Sequence, residues 1–439
     1  MVKTRQKQSA IPMTWITRAS LSEVGYSAPM RRCAASALIV FVVVASLRAQ
    51  RGPSPVEAIA LVNASVVNVR TGAVQRGLTV VLRGGQIESV TAAAAPAGLH
   101  TIDLRGRHVV PGLIDAHVHI GSLPQLRQAL ESGVTTVRSA GVSNFVDVGM
   151  RELVKKGFVA GPDVVAAGYH VRPEVAQEMF IDFPELGDLM GGVSHAEAIR
   201  RAVRANLSRG VEWIKVLATE RAGTPNTDPR KQVYSQEELR ILVAEAASKD
   251  TPVMAHAHGA EGADAAVRAG VRSIEHGTYL SDETLQLMAK QGTYFDPTAD
   301  IVNDLTEAGG DYDNAALKRR GEMMRPILRA AIGKALKFGV KIVAGSDTGY
   351  GPNSVARVSR EAAELVGAGL TPLQALQAAT IVNAEMLRLD KRIGAVEAGF
   401  EADILVVDGN PIDNIRTLLD PLLVISNGRI GLDRLSFAK

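Results

Sequence analysis

Cysteine is almost missing: the 439 residues contain one, Cys33. A single thiol excludes an internal disulfide framework, and no zinc-cysteine cluster can be built from it. The sequence also lacks a Gly-x-x-x-x-Gly-Lys phosphate loop, a Gly-x-Ser-x-Gly elbow and a dinucleotide fingerprint, which sets aside the commonest nucleotide and serine-hydrolase chemistries. Aromatic residues make up only 4%, but 46% of the chain is hydrophobic and 22% charged. That is enough apolar material for a large core and excludes disordered, collagen-like and multi-span membrane classes. A basic stripe is absent too. Residues 1–50 hold seven Lys and Arg against Glu23, so within an overall charge of +3 the remainder is weakly acidic. Such a body is a poor polyanion binder, and no nucleic-acid partner is expected.

The basic leader has its own reading. Met30-Arg31-Arg32 precedes an uncharged apolar run over 33–47, followed by Arg48-Ala49-Gln50, the order of a secretory signal peptide spanning 30–49. Fifteen residues are short for a membrane span, leaving a short N-terminal anchor as the other reading. Met30 makes a better start than Met1, because residues 1–29 resemble neither signal nor fold. With the leader removed, the mature chain has no thiol and is expected to be exported, periplasmic or secreted, without stable membrane insertion.

After the leader, residues 51–110 alternate β-rich runs with turns, including a Gly84-Gly85 hairpin signal. Residues 392–439 repeat that character, with Asn427-Gly428 as their turn. The two ends are expected to form one small β domain, a β-sandwich. Between them, over 111–391, short apolar strands alternate with amphipathic helical stretches, the grammar of repeated βα units. Eight strand candidates fall at 109–119, 135–139, 163–167, 213–218, 252–256, 273–276, 293–295 and 341–345. Helix starts are expected at Ser194 with Glu197, at Ser235 with Glu238, and at Thr371-Pro372. Eight such units predict an α/β fold, a (β/α)8 TIM barrel, beside the small domain.

All nine histidines follow residue 99, and five lie at or near the ends of expected strands, where barrel enzymes build their sites. Asp115-Ala116-His117-Val118-His119 places two imidazoles on one face of a strand. Lys215 interrupts the apolar run Trp213-Ile214-Lys215-Val216-Leu217; a buried ammonium there needs a partner, a lowered pKa or a chemical change. Carboxylation by carbon dioxide would convert its amine into a carbamate able to bridge two cations. His256 and His258 share one face, and spacing leaves open which of them ligates a metal. His276 ends the next strand, and Asp347 closes the last one. There Asp347 can touch a metal and move a proton.

Taken together, Val110-Pro111-Gly112-Leu113-Ile114-Asp115-Ala116-His117-Val118-His119, Lys215, His256, Ile274-Glu275-His276-Gly277 and Gly345-Ser346-Asp347 resemble the binuclear metal-dependent amidohydrolase superfamily. The stretch from Gly394 to Val407 is similar to that family's return into its small β domain. The resemblance implies that His117 and His119 hold one metal with Asp347, that His256 and His276 hold the other, and that carboxylated Lys215 bridges them. It also implies two divalent cations, zinc first among them, activating a water between them for attack on a carbonyl. Asp347 would then be the proton shuttle, and His258 a substrate or supporting group.

Within the superfamily, Trp213 to Thr219, Tyr234 to Leu239, and Ala255 to Gly262 running into Ser273 to Tyr279 resemble the branch of Xaa-Pro and Xaa-Arg dipeptidase-like and ochratoxin-hydrolysing amidohydrolases. Such enzymes cleave an amide between an acyl group and a C-terminal amino acid. The product carboxylate calls for a cationic or donor-rich pocket, with His170, Ser122, Arg221 and Arg230 as candidates. The loop Tyr169-His170-Val171-Arg172-Pro173 lacks the glycine-rich run of many dipeptidase-like members, which favours bulky aromatic acyl substrates such as ochratoxin. The competing readings are a cyclic amide, imidazolone or organophosphate hydrolase on the same metals, and an inactive barrel scaffold. The resemblance further implies a homo-oligomer, an octamer among the options.

Overall fold

The computed structural model describes residues 58–436; the expected signal peptide, with Cys33, lies outside them. The β-rich early residues give β1 (Ile59–Val67), β2 (Val74–Arg83), β3 (Gln86–Thr91), β4 (His100–Asp103) and β5 (His108–Pro111). The Gly84-Gly85 link joins β2 to β3 with both glycines at positive φ, the conformation a two-residue hairpin requires.

A parallel set follows: β6 (Leu113–Val118), β7 (Val134–Ser139), β8 (Asp163–Val165), β9 (Ile214–Leu217), β10 (Val253–Ala257), β11 (Ser273–His276) and β12 (Tyr294–Asp296). The chain closes with β13 (Ile404–Val407), β14 (Leu423–Ser426) and β15 (Arg429–Asp433). Both chain ends enter one mixed sheet of eight strands, ordered β15-β14-β13-β5-β1-β2-β3 with β4 beside β1. In hydrogen-bonding terms the expected sandwich is therefore a single sheet. It surrounds its own apolar cluster, with Leu61, Leu82, Leu104, Ile404 and Ile425 at its centre.

The parallel strands hydrogen-bond as two sheets, β6-β7-β8 and β9-β10-β11-β12. An isolated parallel bridge ties Val171, in the segment after β8, to Val216 of β9. Two expectations about strands change. The run 109–119 is not one strand, because it breaks at Gly112 and sends β5 to the chain-end sheet and β6 to the parallel set. A side chain at Gly112 would meet Thr135 at 2.2 Å, so the crossing between sheets needs glycine. The eighth candidate, 341–345, is an extended segment held by single bridges, Phe295 to Ile342 and, just beyond it, Val118 to Thr348. Between the two bridges Asp347 turns into the left-handed region at φ 51°.

Helix starts follow local chemistry. Ser235 and Glu238 form a capping box on Gln236–Ala247, and Thr371 with Gln374 forms another on Pro372–Ala378, Pro372 opening it. Ser194 does not cap. His195 takes that place, its Nδ1 accepting from the Ala198 N–H at 3.3 Å. No helix among the described residues is long and apolar enough to cross a membrane.

Candidate metal centre

Strand alternation brings the chemistry to one end of the parallel set. His117 lies on β6, His119 just past it, Lys215 on β9, His256 on β10 with His258 just past it, and His276 ends β11. Two donor groups result: His117, His119 and Asp347, and His256, His258 and His276, the atoms within each group lying within 4.8 Å of one another. Asp347 Oδ1 lies 3.1 Å from His119 Nε2 and 3.4 Å from His117 Nε2. Lys215 Nζ is 3.2 Å from His117 Nε2, and the His117 and His276 rings are 5.1 Å apart, so the groups are contiguous.

Backbone acceptors fix which ring nitrogens stay free. A carbonyl only accepts, so His119 donates Nδ1–H to Gly141 O at 2.8 Å and its Nε2 lone pair faces Asp347. By the same reasoning His256 donates Nε2–H to Glu220 O at 3.2 Å, leaving Nδ1 for a ligand. His276 Nδ1 meets Thr298 Oγ1 at 2.7 Å, and His258 Nδ1 meets Thr278 Oγ1 at 2.9 Å. Burial pulls His117 down to about 4 and His258 to about 3, and it holds His256 and His276 well below the usual range with help from neighbouring imidazoles. Neutral imidazole is the ligating form. Burial opposes the charge on Asp347, but His117, His119 and Lys215 outweigh it and keep the carboxyl ionised. Its Oδ1 is buried without a hydrogen-bond partner. A buried, unpartnered carboxylate oxygen facing imidazole lone pairs fits a bound cation.

Beneath the donors lies a network that no spacing rule announces. His117 Nδ1–H donates to Glu275 Oε2 at 2.8 Å. Arg138 donates to the same oxygen at 2.7 Å, to Ser273 Oγ at 3.0 Å and to the Ala116 carbonyl at 2.5 Å, and it lies over the Trp213 ring at 4.6 Å. Burial, then the Glu275 charge, pushes Asp296 well above the carboxylate range. His117, Glu275 and Asp296 could be taken for a third metal group, but the Arg138 guanidinium already supplies their cation. The available signal is Arg138 itself, a charge within the strand Val134–Ser139, though among Thr135, Thr136 and Ser139 it stands out less than Lys215 in its apolar run.

The sequence profile of the Amidohydrolase family matches residues 108–431. The chain belongs to that family. This amidohydrolase is 27% identical over 360 residues to the ochratoxinase of Aspergillus niger, covering 72% of this chain and 73% of the relative. Among solved structures it is similar to a Xaa-Pro dipeptidase with bound methionine in the active site, at 28% identity and TM-score 0.76, over 85% of this chain and 99% of that one. A putative prolidase from Bifidobacterium longum is 32% identical with TM-score 0.75, over 86% and 95% of the two chains. Family and relatives make this amidohydrolase a metal-dependent hydrolase of carbon–nitrogen bonds, and the family implies divalent metal use.

Not every expected substrate contact reaches the amidohydrolase centre. His170 does, its Nε2–H donated to Ala140 O at 2.6 Å, and Arg221 lines the same cavity as His117, His119, Lys215, His256 and Asp347. Ser122 instead caps Leu123–Glu131, bonded to Gln125. Arg230 is exposed and paired with Asp228 at 2.9 Å, away from the metal cavity. Both lie near metal-site residues along the chain, but the loops carry them elsewhere. Burial brings Lys215 down to about 8, although Glu275 and Asp347 favour its charge.

Proposed function

We propose that this amidohydrolase cleaves the amide joining an acyl group to a C-terminal amino acid, including bulky aromatic acyl groups of the ochratoxin kind. The observation that carries the reading is Arg221: its side chain has no hydrogen bond or ion pair among the described residues, and it lines the cavity of the metal donors. A free guanidinium beside a hydrolytic centre suits a substrate carboxylate. The dipeptidase, prolidase and ochratoxinase relatives support the same substrate class.

In this reading His117, His119 and Asp347 hold one divalent cation, His256 and His276 the other, and Lys215 stands between them, zinc being the expected metal. When bound, such cations acidify a water molecule and polarise the scissile carbonyl. Carboxylation of neutral Lys215 Nζ, in which nitrogen bonds to the carbon of carbon dioxide and a proton is released, would give an anionic carbamate able to help hold both cations. During hydrolysis the water oxygen bonds to the acyl carbon and the carbon–nitrogen bond breaks. Asp347 takes the water proton and delivers it to the leaving nitrogen. His170 and Arg221 orient the substrate, and His258 supports the second donor group.

The parallel strands and the segment 341–345 are read as the eight staves of a (β/α)8 barrel, with the chain-end sheet as its small β domain. Export after signal cleavage and assembly into a homo-oligomer, an octamer among the options, complete the proposal. A panel of N-acyl amino acids, dipeptides and ochratoxin, assayed with zinc by amine release, tests it. Turnover of carboxylate-bearing amides is expected; turnover confined to carboxyl-free cyclic amides or phosphate esters would replace the reading.

A further inference from the structure

Arg221 is not alone. Arg172, half-buried, likewise has no side-chain hydrogen bond or ion pair among the described residues. The two line the same two cavities, one bordering the metal donors and one farther out. One runs past His119, Tyr169, His170 and Asp347, and the other past Leu217, Glu220 and Lys231. Backbone pairing sets the segments that lead to them side by side: Val171 N–H donates to Lys215 O at 2.8 Å, and Leu217 N–H to Val171 O at 3.2 Å. Arg172 follows the first of these paired segments and Arg221 the second.

Nearby acids do not neutralise the pair. Glu220 is engaged by Lys231 at 2.7 Å, Asp311 accepts from Ser354 Oγ at 2.5 Å, and Asp347 belongs to the metal donors. Glu174 lines the outer cavity and Glu178 is exposed, neither within ion-pair distance. Glu174 and Glu178 favour the Arg172 charge only from a distance, while Arg221 opposes it. Two guanidiniums without a direct partner therefore face one space, and an anion entering it would relieve their repulsion. Their order along the path is also fixed. Arg221 also lines the cavity that holds His117, Lys215, His256 and His276, whereas Arg172 lines only the other two.

We propose that the two form a two-point anion site, Arg221 taking the α-carboxylate beside the scissile amide and Arg172 a second carboxylate farther out. The preferred leaving amino acid is then itself acidic, glutamate or aspartate. This rests on the amide-hydrolase reading above and narrows it. A neutral isostere would leave Arg172 unpaired, which is how a charged subsite discriminates.

The test compares kcat/KM of the zinc-loaded enzyme for matched N-acyl-glutamate and N-acyl-glutamine, which differ by one charge. The wild type is expected to favour glutamate at least about ten-fold, and the ratio should fall as ionic strength rises. In Arg172→Gln the ratio should drop to near one, and Arg172→Glu should shift preference towards N-acyl-lysine; a merely structural Arg172 would move neither ratio. A wild-type ratio near one, or a ratio that survives Arg172→Gln, overturns the proposal, and the wild-type ratio serves even if a variant fails to fold. Cleavage of cyclic amides with no N-acyl amino acid accepted would instead remove the amide-hydrolase reading, and this subsite with it.

Discussion

Arg138 and Lys215 are both buried cations on strands under the site, and their partners separate their roles. Arg138 is saturated by Glu275, Ser273 and the Ala116 carbonyl, so it holds Glu275 in place. Lys215 has His117 Nε2 as its close neighbour and no carboxylate at ion-pair distance, which leaves its amine open to modification. Because Glu275 fixes the His117 ring, Glu275→Gln should weaken metal binding about ten- to hundred-fold, read by chelator competition. Asp347→Asn should lower kcat by at least about a hundred-fold with circular dichroism unchanged; substantial residual turnover would remove its role as proton shuttle. Since the Glu220 carbonyl leaves His256 Nδ1 free for a ligand, His256→Ala should lose more metal by elemental analysis than His258→Ala. The reverse order would swap their roles.

At the scale of elements, the strands that carry ligands were legible because period-two alternation and buried charges are local properties. The capping boxes at Ser235 and Thr371 were legible for the same reason. The break at Gly112 was not, since it depends on Thr135 pressing from the neighbouring strand. Gly259 shows the same dependence. A Cβ there would lie 2.2 Å from the Arg230 carbonyl oxygen, a backbone atom that no rotamer change can move. Gly259→Ala should therefore displace the loop that also carries the Glu220 carbonyl. The expected cost is about 1–3 kcal/mol in denaturant unfolding, together with slower turnover.

Across the whole molecule, Asp403 ties the chain-end sheet to the parallel set: its carbonyl accepts from Gly112 N–H at 2.9 Å and its Oδ1 from Asn427 N–H at 2.8 Å. Burial, then the charge of Asp163, pushes this carboxyl well above the usual range. The folded state then binds a proton that the unfolded chain has already lost. Stability falls as pH rises from about 4, the ordinary carboxyl value, to the raised folded value, and is flat beyond. Asp403→Asn should accordingly raise Tm at pH 7 and gain little at pH 4; an equal shift at both would count against the raised carboxyl. The sequence alone determined the donor inventory and the strand grammar, because residue type and periodicity are written locally. Which nitrogens face the centre, which arginine is saturated and which is free, and which loop residues reach the cavity were decided only by tertiary structure. Each depends on a partner brought from a distant part of the chain: His117 and Glu275 are 158 residues apart, and no local pattern encodes such a meeting.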